Sequence, residues 1–190
     1  VNIGDFGKTT NETFLELLIA LETMQLKFRI RISSIEPNLL SEKIIDFISS
    51  SKKILPHFHI PLQSGSQKIL KLMKRRYSIK KYFDSIQYIK KTIPNVCIGA
   101  DVIVGFPNEN ETDFLETLDF IKKIKISYLH VFSYSNRENT KSNNMKKQNS
   151  INIIKQRSKI LRDYSKKINL EFIESQLNKN TKVLFESYNN

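Results

Sequence analysis

Cysteine is nearly missing from this sequence. Cys97 is the only one, which excludes an internal disulfide and any metal site or iron–sulfur cluster built from several thiolates of the chain itself. Tryptophan is absent, and glycine and proline number 5 each in 190 residues, too few for collagen, a flexible linker or a wholly disordered tract. No apolar run approaches the roughly 18 residues of a membrane-spanning helix. The opening VNIGDFGKTTNE has neither the basic segment nor the apolar stretch of a secretory leader. A cytoplasmic protein without a membrane partner is therefore expected. Acid is in deficit: 31 Lys and Arg face 19 Asp and Glu, a formal charge of +12, which favours polyanionic partners. Against these shortages stand 39% hydrophobic and 10% aromatic residues, enough for one folded domain with a sizeable core.

Strand-like and helix-period segments alternate along the chain. Val1 to Ile3 reads as the end of a strand, with Gly4 and Gly7 in the turn after it. FLELLIALETM, behind Thr10 and Thr13, has helical spacing and a plausible N-cap. Phe28, Ile30 and Ile32 alternate with Arg29, Arg31 and Ser33, the period of a strand. Ser41 opens a helix to about Ser50, HFHI (57–60) is a short strand, and 66–74 and 79–92 read as helices. CIGADVIVG (97–105) is a β-branched run of the kind buried in a parallel sheet. A helix over 111–124, a strand over 128–134 and a long basic helix over 150–176 follow, and 183–186 begins another strand. This order gives an α/β fold with parallel strands and right-handed crossovers. Five or six units fall short of a complete eight-fold barrel, so a partial (βα) barrel fits better than an open doubly wound sheet. The polar segment 136–150 is expected as a surface loop.

In parallel α/β folds ligands sit at the carboxyl ends of the strands. Those ends carry Gly4-Asp5, Ser33-Ser34-Ile35-Glu36-Pro37, Pro61-Leu62-Gln63-Ser64-Gly65-Ser66, Gly105-Phe106-Pro107-Asn108-Glu109 and Ser133-Tyr134-Ser135-Asn136-Arg137. Each could be an ordinary polar turn; five on one rim make a binding site. The segment from Gln63 to Ser66 precedes a helix, where backbone N–H groups could face an anion or Ser66 could be a plain N-cap. The loop at Gly105 lacks the second glycine and the lysine of a phosphate loop. His57 and His59 point the same way from one strand, a possible metal pair, but no supporting ligand falls at a metal-site spacing, so no metal is expected. His130 reads as a packed or rim residue, Cys97 as buried and inert, and the acidic run Glu109, Glu111, Asp113 and Glu116 as a helix start. Basic residues gather at Lys71, Lys74, Arg75 and Arg76, and from Lys141 through Arg157 to Lys167. Within the second group Lys155, Lys159, Arg162 and Lys166 share one helical face, suited to phosphate contacts or simply to water. Tyr77, Tyr82 and Tyr88 could stack bases, though such spacings more often mark core.

Four stretches carry a specific resemblance: RIRISSIEP (29–37), HFHIPLQSGSQKILKLMKRRYS (57–78), DVIVGFPNENETDF (101–114) and HVFSYSNRENT (130–140). In order and spacing, over nearly all 190 residues, they resemble the radical S-adenosylmethionine methylthiotransferases of tRNA, most of all the MtaB type that modifies N6-threonylcarbamoyladenosine beside the anticodon. The resemblance implies an incomplete barrel of the radical SAM type between an N-terminal domain and a small β-rich RNA-binding domain. It implies S-adenosylmethionine and two 4Fe-4S clusters as cofactors, and tRNA as partner. Carried onto this chain, it makes Gly4, Ser33, Ser34, Glu36, Gln63, Ser64 and Gly105 candidates for the cofactor pocket, and Asp101, Tyr134 and Arg137 candidates for cofactor or substrate contacts. Lys74, Arg75, Arg76, Lys155, Lys159, Arg162 and Lys166 are the candidates for RNA.

The sequence also departs from that pattern. With Cys97 alone neither cluster can be built, so the chain is expected to start after the cluster loop, to be truncated at both ends and to have no turnover by itself. Residues 1–176 are assigned to the barrel core, and 177–190 to the start of the RNA-binding domain. Asn108 and Asn139 stand where the family usually has glycine, and Ser133 where proline is usual; asparagine tolerates the positive φ of such turns at some cost. A monomer is expected. The alternatives are a basic RNA-binding module without catalysis, and a sugar-phosphate barrel enzyme, which would need glycines that 133–140 lacks.

Overall fold

The structure, a computed structural model, describes residues 2–136, 138, 140, 142, 145 and 148–180. Its helices are α1 (Phe14–Thr23), α2 (Glu42–Ser50), α3 (Gln67–Leu72), α4 (Ile79–Thr92), α5 (Glu111–Ile124) and α6 (Ile151–Glu174). The strands are β1 (His57–His59), β2 (Cys97–Val104) and β3 (Tyr128–Ser133). Their starts follow local chemistry. Thr13 with Glu16, and Asn110 with Asp113, form reciprocal capping boxes, while Ser41, Ser78 and Ser150 accept from the third helical N–H, supplying partners that a helix end otherwise lacks.

The strands lie in the order β1-β2-β3, all parallel. Sequence neighbours are thus spatial neighbours, with no reversal of order, as in a barrel wall rather than a doubly wound sheet. Burial agrees. Phe58, Ile60, Ile98, Ala100, Val102, Val104 and Leu129 are buried beneath the helices, whereas Asp101, Ile103 and Tyr128 are half-buried and His130 and Phe132 exposed. One side of the wall is sealed and the other is open. Tyr82 closes the sealed side, its ring fully buried and its hydroxyl donating to the Ile60 carbonyl at 2.8 Å, and Tyr77 donates to the Pro61 carbonyl at 2.9 Å. Both tyrosines are core, not base-stacking surface. α6 covers β3, where Ser165 accepts from the Leu129 N–H and donates to its carbonyl at 2.9 and 3.0 Å.

Two expected strands are reduced. Residues 28–34 keep only isolated parallel bridges, Ile30 with Ile54 and Ser34 with His59. From bridge to bridge one side advances four residues and the other five, so the 54–59 segment carries a bulge. Pro56, with no N–H to donate, sits inside it. The first expected strand is a 3-10 turn, Ile3–Asp5, because the Asn2 side chain accepts from the N–H groups of both Gly4 and Glu36 at 3.3 Å and curls the chain. A backbone bond, Ile3 N–H to the Ser34 carbonyl at 3.3 Å, helps tie this turn to the wall. The expected strand at 183–186, and the ten residues ending the proposed second domain, lie outside the described residues.

Candidate functional site

Parallel pairing puts the ends of the bridged 28–34 segment, β1, β2 and β3 on one rim. Bonds between the turns confirm the convergence. Gln63 bridges Val102, the Tyr134 N–H donates to the Val104 carbonyl at 2.8 Å, and the Lys68 ammonium reaches the Asn108 carbonyl at 3.2 Å. Arg76 lies 3.1 Å from Glu36 and 3.6 Å from Asp5, joining the first two turns.

The open face of the wall is built in layers, because alternate residues of each strand point the same way. In the lowest layer Arg31 lies against His57, which is 3.0 Å from the Tyr128 hydroxyl. Gly99 makes this possible: a Cβ there would stand 2.1 Å from the Tyr128 ring, which lies across β2. Burial, and then the Arg31 charge, push the His57 imidazole down to about 4. In the next layer Asp101 Oδ1 is 2.9 Å from His59 Nε2 and 3.3 Å from His130 Nδ1. Burial alone would raise the Asp101 carboxyl, but the hydrogen bonds and charges of His59 and His130 outweigh it, and the net direction is downward. Above these lie Gln63, Ile103 and Phe132.

A cavity of about 420 Å³ opens over this layer, lined by Gln63, Asp101, Ile103, the 132–135 segment, Thr140 and Ser142. Its size falls within the roughly 300–1,000 Å³ of small-molecule sites. Two features of its lining stand out. Gln63 holds a left-handed backbone, φ 65°, a strain of about 1–3 kcal/mol for a residue with a side chain. The buried Tyr134 hydroxyl has no hydrogen-bond partner among the described residues, which normally costs about 1–3 kcal/mol. A larger cleft, about 580 Å³, lies between α4 and α6 at the amino ends of the strands, where a barrel wall carries stability rather than chemistry.

The sequence-derived candidates separate here. Gln63, Asp101 and Tyr134 meet in the cavity. Gly105 stands behind it, with φ 81° and its N–H donated to Glu109 at 3.1 Å; a Cβ on it would reach 2.3 Å from Ile154. Ser64 is turned away from the cavity, 3.2 Å from the Thr117 hydroxyl on α5. Ser66 does not cap α3 but donates to Asp113 at 2.8 Å, so the start of that helix is no free anion site. Glu36 is clamped by Arg75 at 3.4 Å and Arg76 at 3.1 Å, which balances its charge; Arg75 is half-buried and Arg76 stays exposed. Gly4 packs against Leu39, Ser33 is exposed, and Ser34 spends its carbonyl on Ile3. Asn108 takes the positive φ expected of it, 67°. Arg137 and Asn139, with Lys141, Lys146 and Lys147, lie outside the described residues.

Lys74, Lys155, Lys159, Arg162 and Lys166 are exposed, Lys159 paired with Asp163 at 2.6 Å and Arg162 donating to the Val131 carbonyl at 3.3 Å. Arg157, counted by sequence among this surface charge, is buried. It bonds Glu109 at 2.8 Å and Glu111 at 2.9 Å, locking the rim loop to α6. Burial raises the Glu109 carboxyl more than the Gly105 N–H and Arg157 lower it, and the net direction is upward. The His59–Asp101–His130 cluster was also missed. The three residues belong to three different strands, and their meeting follows from register, which no spacing along the chain announces.

The "Radical SAM superfamily" family model matches residues 7–121, more than half of the chain, and the chain belongs to that superfamily. Among its relatives, the "Threonylcarbamoyladenosine tRNA methylthiotransferase MtaB" of Aquifex aeolicus (strain VF5) is 42% identical over 172 residues, which are 90% of this chain and 41% of the relative. The "tRNA-2-methylthio-N(6)-dimethylallyladenosine synthase" of Alkaliphilus oremlandii (strain OhILAs) is 38% identical over 187 residues, 97% of this chain and 40% of the relative. The chain therefore spans about two fifths of these relatives' length. Among solved structures, coproporphyrinogen III oxidase (HemN) from Escherichia coli superposes with TM-score 0.65 at 15% identity, covering 88% of this chain and 38% of that one. Streptococcus suis SuiB bound to S-adenosylmethionine superposes with TM-score 0.54 at 19% identity, covering 84% and 35%. These two establish a shared fold, the partial barrel expected from the sequence.

The superfamily implies S-adenosylmethionine and an iron–sulfur cluster. The cavity fits the first: it offers a carboxylate, an amide and a buried hydroxyl without a partner. The chain does not fit the second. Its one thiol, Cys97, is half-buried at the amino end of β2, far from the rim, and burial pushes it up, the reverse of a metal-ligating thiolate.

Proposed function

We propose that this chain is the barrel core of a tRNA methylthiotransferase acting on N6-threonylcarbamoyladenosine beside the anticodon. The observation that carries the reading is the cavity at the carboxyl ends of the strands, floored by Asp101 and flanked by Gln63 and Tyr134, in a chain of the radical SAM superfamily. The names of its relatives supply the reaction. Relatives named for the threonylcarbamoyl substrate are 42%, 41% and 32% identical, and those named for the dimethylallyl substrate 36–39%; the reading follows the name at the upper end of these identities.

In this reading Gln63, Asp101 and Tyr134 hold S-adenosylmethionine, which when bound supplies the radical for C–H activation and the methyl group. Asp101 floors the pocket, held in place by His59 and His130. Tyr134 donates its unpartnered hydroxyl to a ligand oxygen or nitrogen, and the Gln63 amide fixes orientation. Gly105, anchored through Glu109 and Arg157, keeps the rim backbone close to the ligand. The cluster belongs to residues other than these 190, so this chain alone has no turnover. Lys155, Lys159, Arg162 and Lys166 contact tRNA phosphates, Lys74 adds to them, and Arg75 and Arg76 contribute after their exchange with Glu36. The protein works as a monomer in the cytoplasm; among the described residues no helix is long and apolar enough to cross a membrane.

Calorimetry of the chain with S-adenosylmethionine, and with its homocysteine analogue, tests the pocket. Binding is expected, weakened about tenfold or more by Gln63→Ala and by Tyr134→Phe. An absence of heat, with RNA affinity unchanged in Glu36→Ala, leaves a basic RNA-binding module without catalysis.

A further inference from the structure

Beneath the cavity, β1, β2 and β3 each contribute one side chain to a single point. The ligand-type atoms of His59, Asp101 and His130 all lie within 4.8 Å of one another. We propose that these three residues bind a divalent transition-metal ion of the zinc, cobalt or nickel class.

Two imidazoles and one carboxylate are the donor set such ions take. The register explains why the set is rigid. Asp101 and His130 are direct partners across β2 and β3, while His59 pairs with Gly99, two residues from Asp101 on the same face. A strand wall holds donors more firmly than a loop does. Both rings approach one Asp101 oxygen, at 2.9 and 3.3 Å, so small side-chain rotations suffice to bring the three donors to the about 2.0–2.2 Å that such an ion takes.

The surroundings fit a ligand site as well. The Tyr128 hydroxyl lies 3.5 Å from Nδ1 of His59, the ring nitrogen that does not face Asp101, as the outer partner of a metal-bound imidazole does. Arg31 is engaged one layer below by His57 and Tyr128. His130 is 55% exposed against 14% for His59 and 21% for Asp101. The site is therefore closed by the wall and open toward solvent and the cavity, leaving coordination positions for water or an oxygen or nitrogen donor of a small ligand.

The test uses metal ions alone, so it is independent of the cofactor reading. Chelator-treated chain is titrated with Zn²⁺ by calorimetry and with Co²⁺ by visible absorption. One equivalent is expected to bind, retained in Cys97→Ser, and weakened at least about tenfold in His59→Ala and in His130→Ala. His130 is exposed enough for that change to leave the fold intact, which circular dichroism checks. A second readout needs no variant: Zn²⁺ should shift the ring resonances of His59 and His130 and leave those of His57. Absence of stoichiometric binding, binding undiminished in folded His130→Ala, loss of binding in Cys97→Ser, or a shift confined to His57 overturns the proposal.

Discussion

The two faces of one β-wall obey opposite rules. On the helix side Phe58, Ile98, Ala100 and Val102 have no exposure at all. One residue along in either direction, Arg31, His57, His59, Asp101 and His130 form a polar, half-open stack. A strand turns successive side chains to opposite faces, so the same backbone supplies stability and chemistry without either intruding on the other. The rim shows a second contrast, since Glu109 and Arg157 are charged yet serve as structure, while Asp101 is charged and faces the cavity.

These contrasts can be broken by experiment. The largest effect is expected from Phe58→Ala, about 3–5 kcal/mol by denaturant titration, the usual cost of emptying a buried aromatic site; Ile103→Ala on the open face should cost less than about 2 kcal/mol. Equal costs would mean that both faces are core. Glu109→Gln leaves Arg157 with Glu111 as its one charge partner among the described residues and removes the buried one, which should cost up to about 3 kcal/mol, whereas Asp101→Asn, half-open, should cost well under half of that.

Gly99→Ala should cost about 1–3 kcal/mol by overpacking, since its Cβ would meet the Tyr128 ring at 2.1 Å. The double variant with Tyr128→Ala should recover part of the loss, and no recovery would show that the clash lies elsewhere. A smaller effect concerns pH. Burial opposes ionisation of Asp113, but bonds from Lys68, the Asn110 N–H and Ser66 outweigh it and hold the carboxyl below its ordinary 3.8. A depressed carboxylate stabilises above the unfolded value and loses that contribution as pH falls below about 4. The acid limb of stability should therefore flatten in Asp113→Asn. The smallest change is Gln63→Gly, which relieves the positive φ; stability should hold or rise by up to about 1 kcal/mol while S-adenosylmethionine binding weakens.

Much of this was legible from the chain itself. The spacing of apolar residues placed helices α1 to α6, a β-branched run placed β2, and 128–134 reads as a strand, the observed β3. Failures came where one local element depended on another. The 28–34 segment has strand periodicity, but Pro56 on its neighbour removes the donor that a ladder needs. Ser66 has the look of an N-cap, but Asp113, far along the chain, takes its hydroxyl.

The sequence by itself determined the alternation of elements, the parallel α/β class, the turns that reach the rim and the shortage of thiols, because helical and strand periods and composition are properties of adjacent residues. Only the tertiary structure decided that His59, Asp101 and His130 meet, that Arg157 goes inward while Lys155 stays in water, and that Glu36 is already neutralised. Those outcomes depend on strand register and on the angle at which α6 lies on the wall, and both are settled by how the whole core packs.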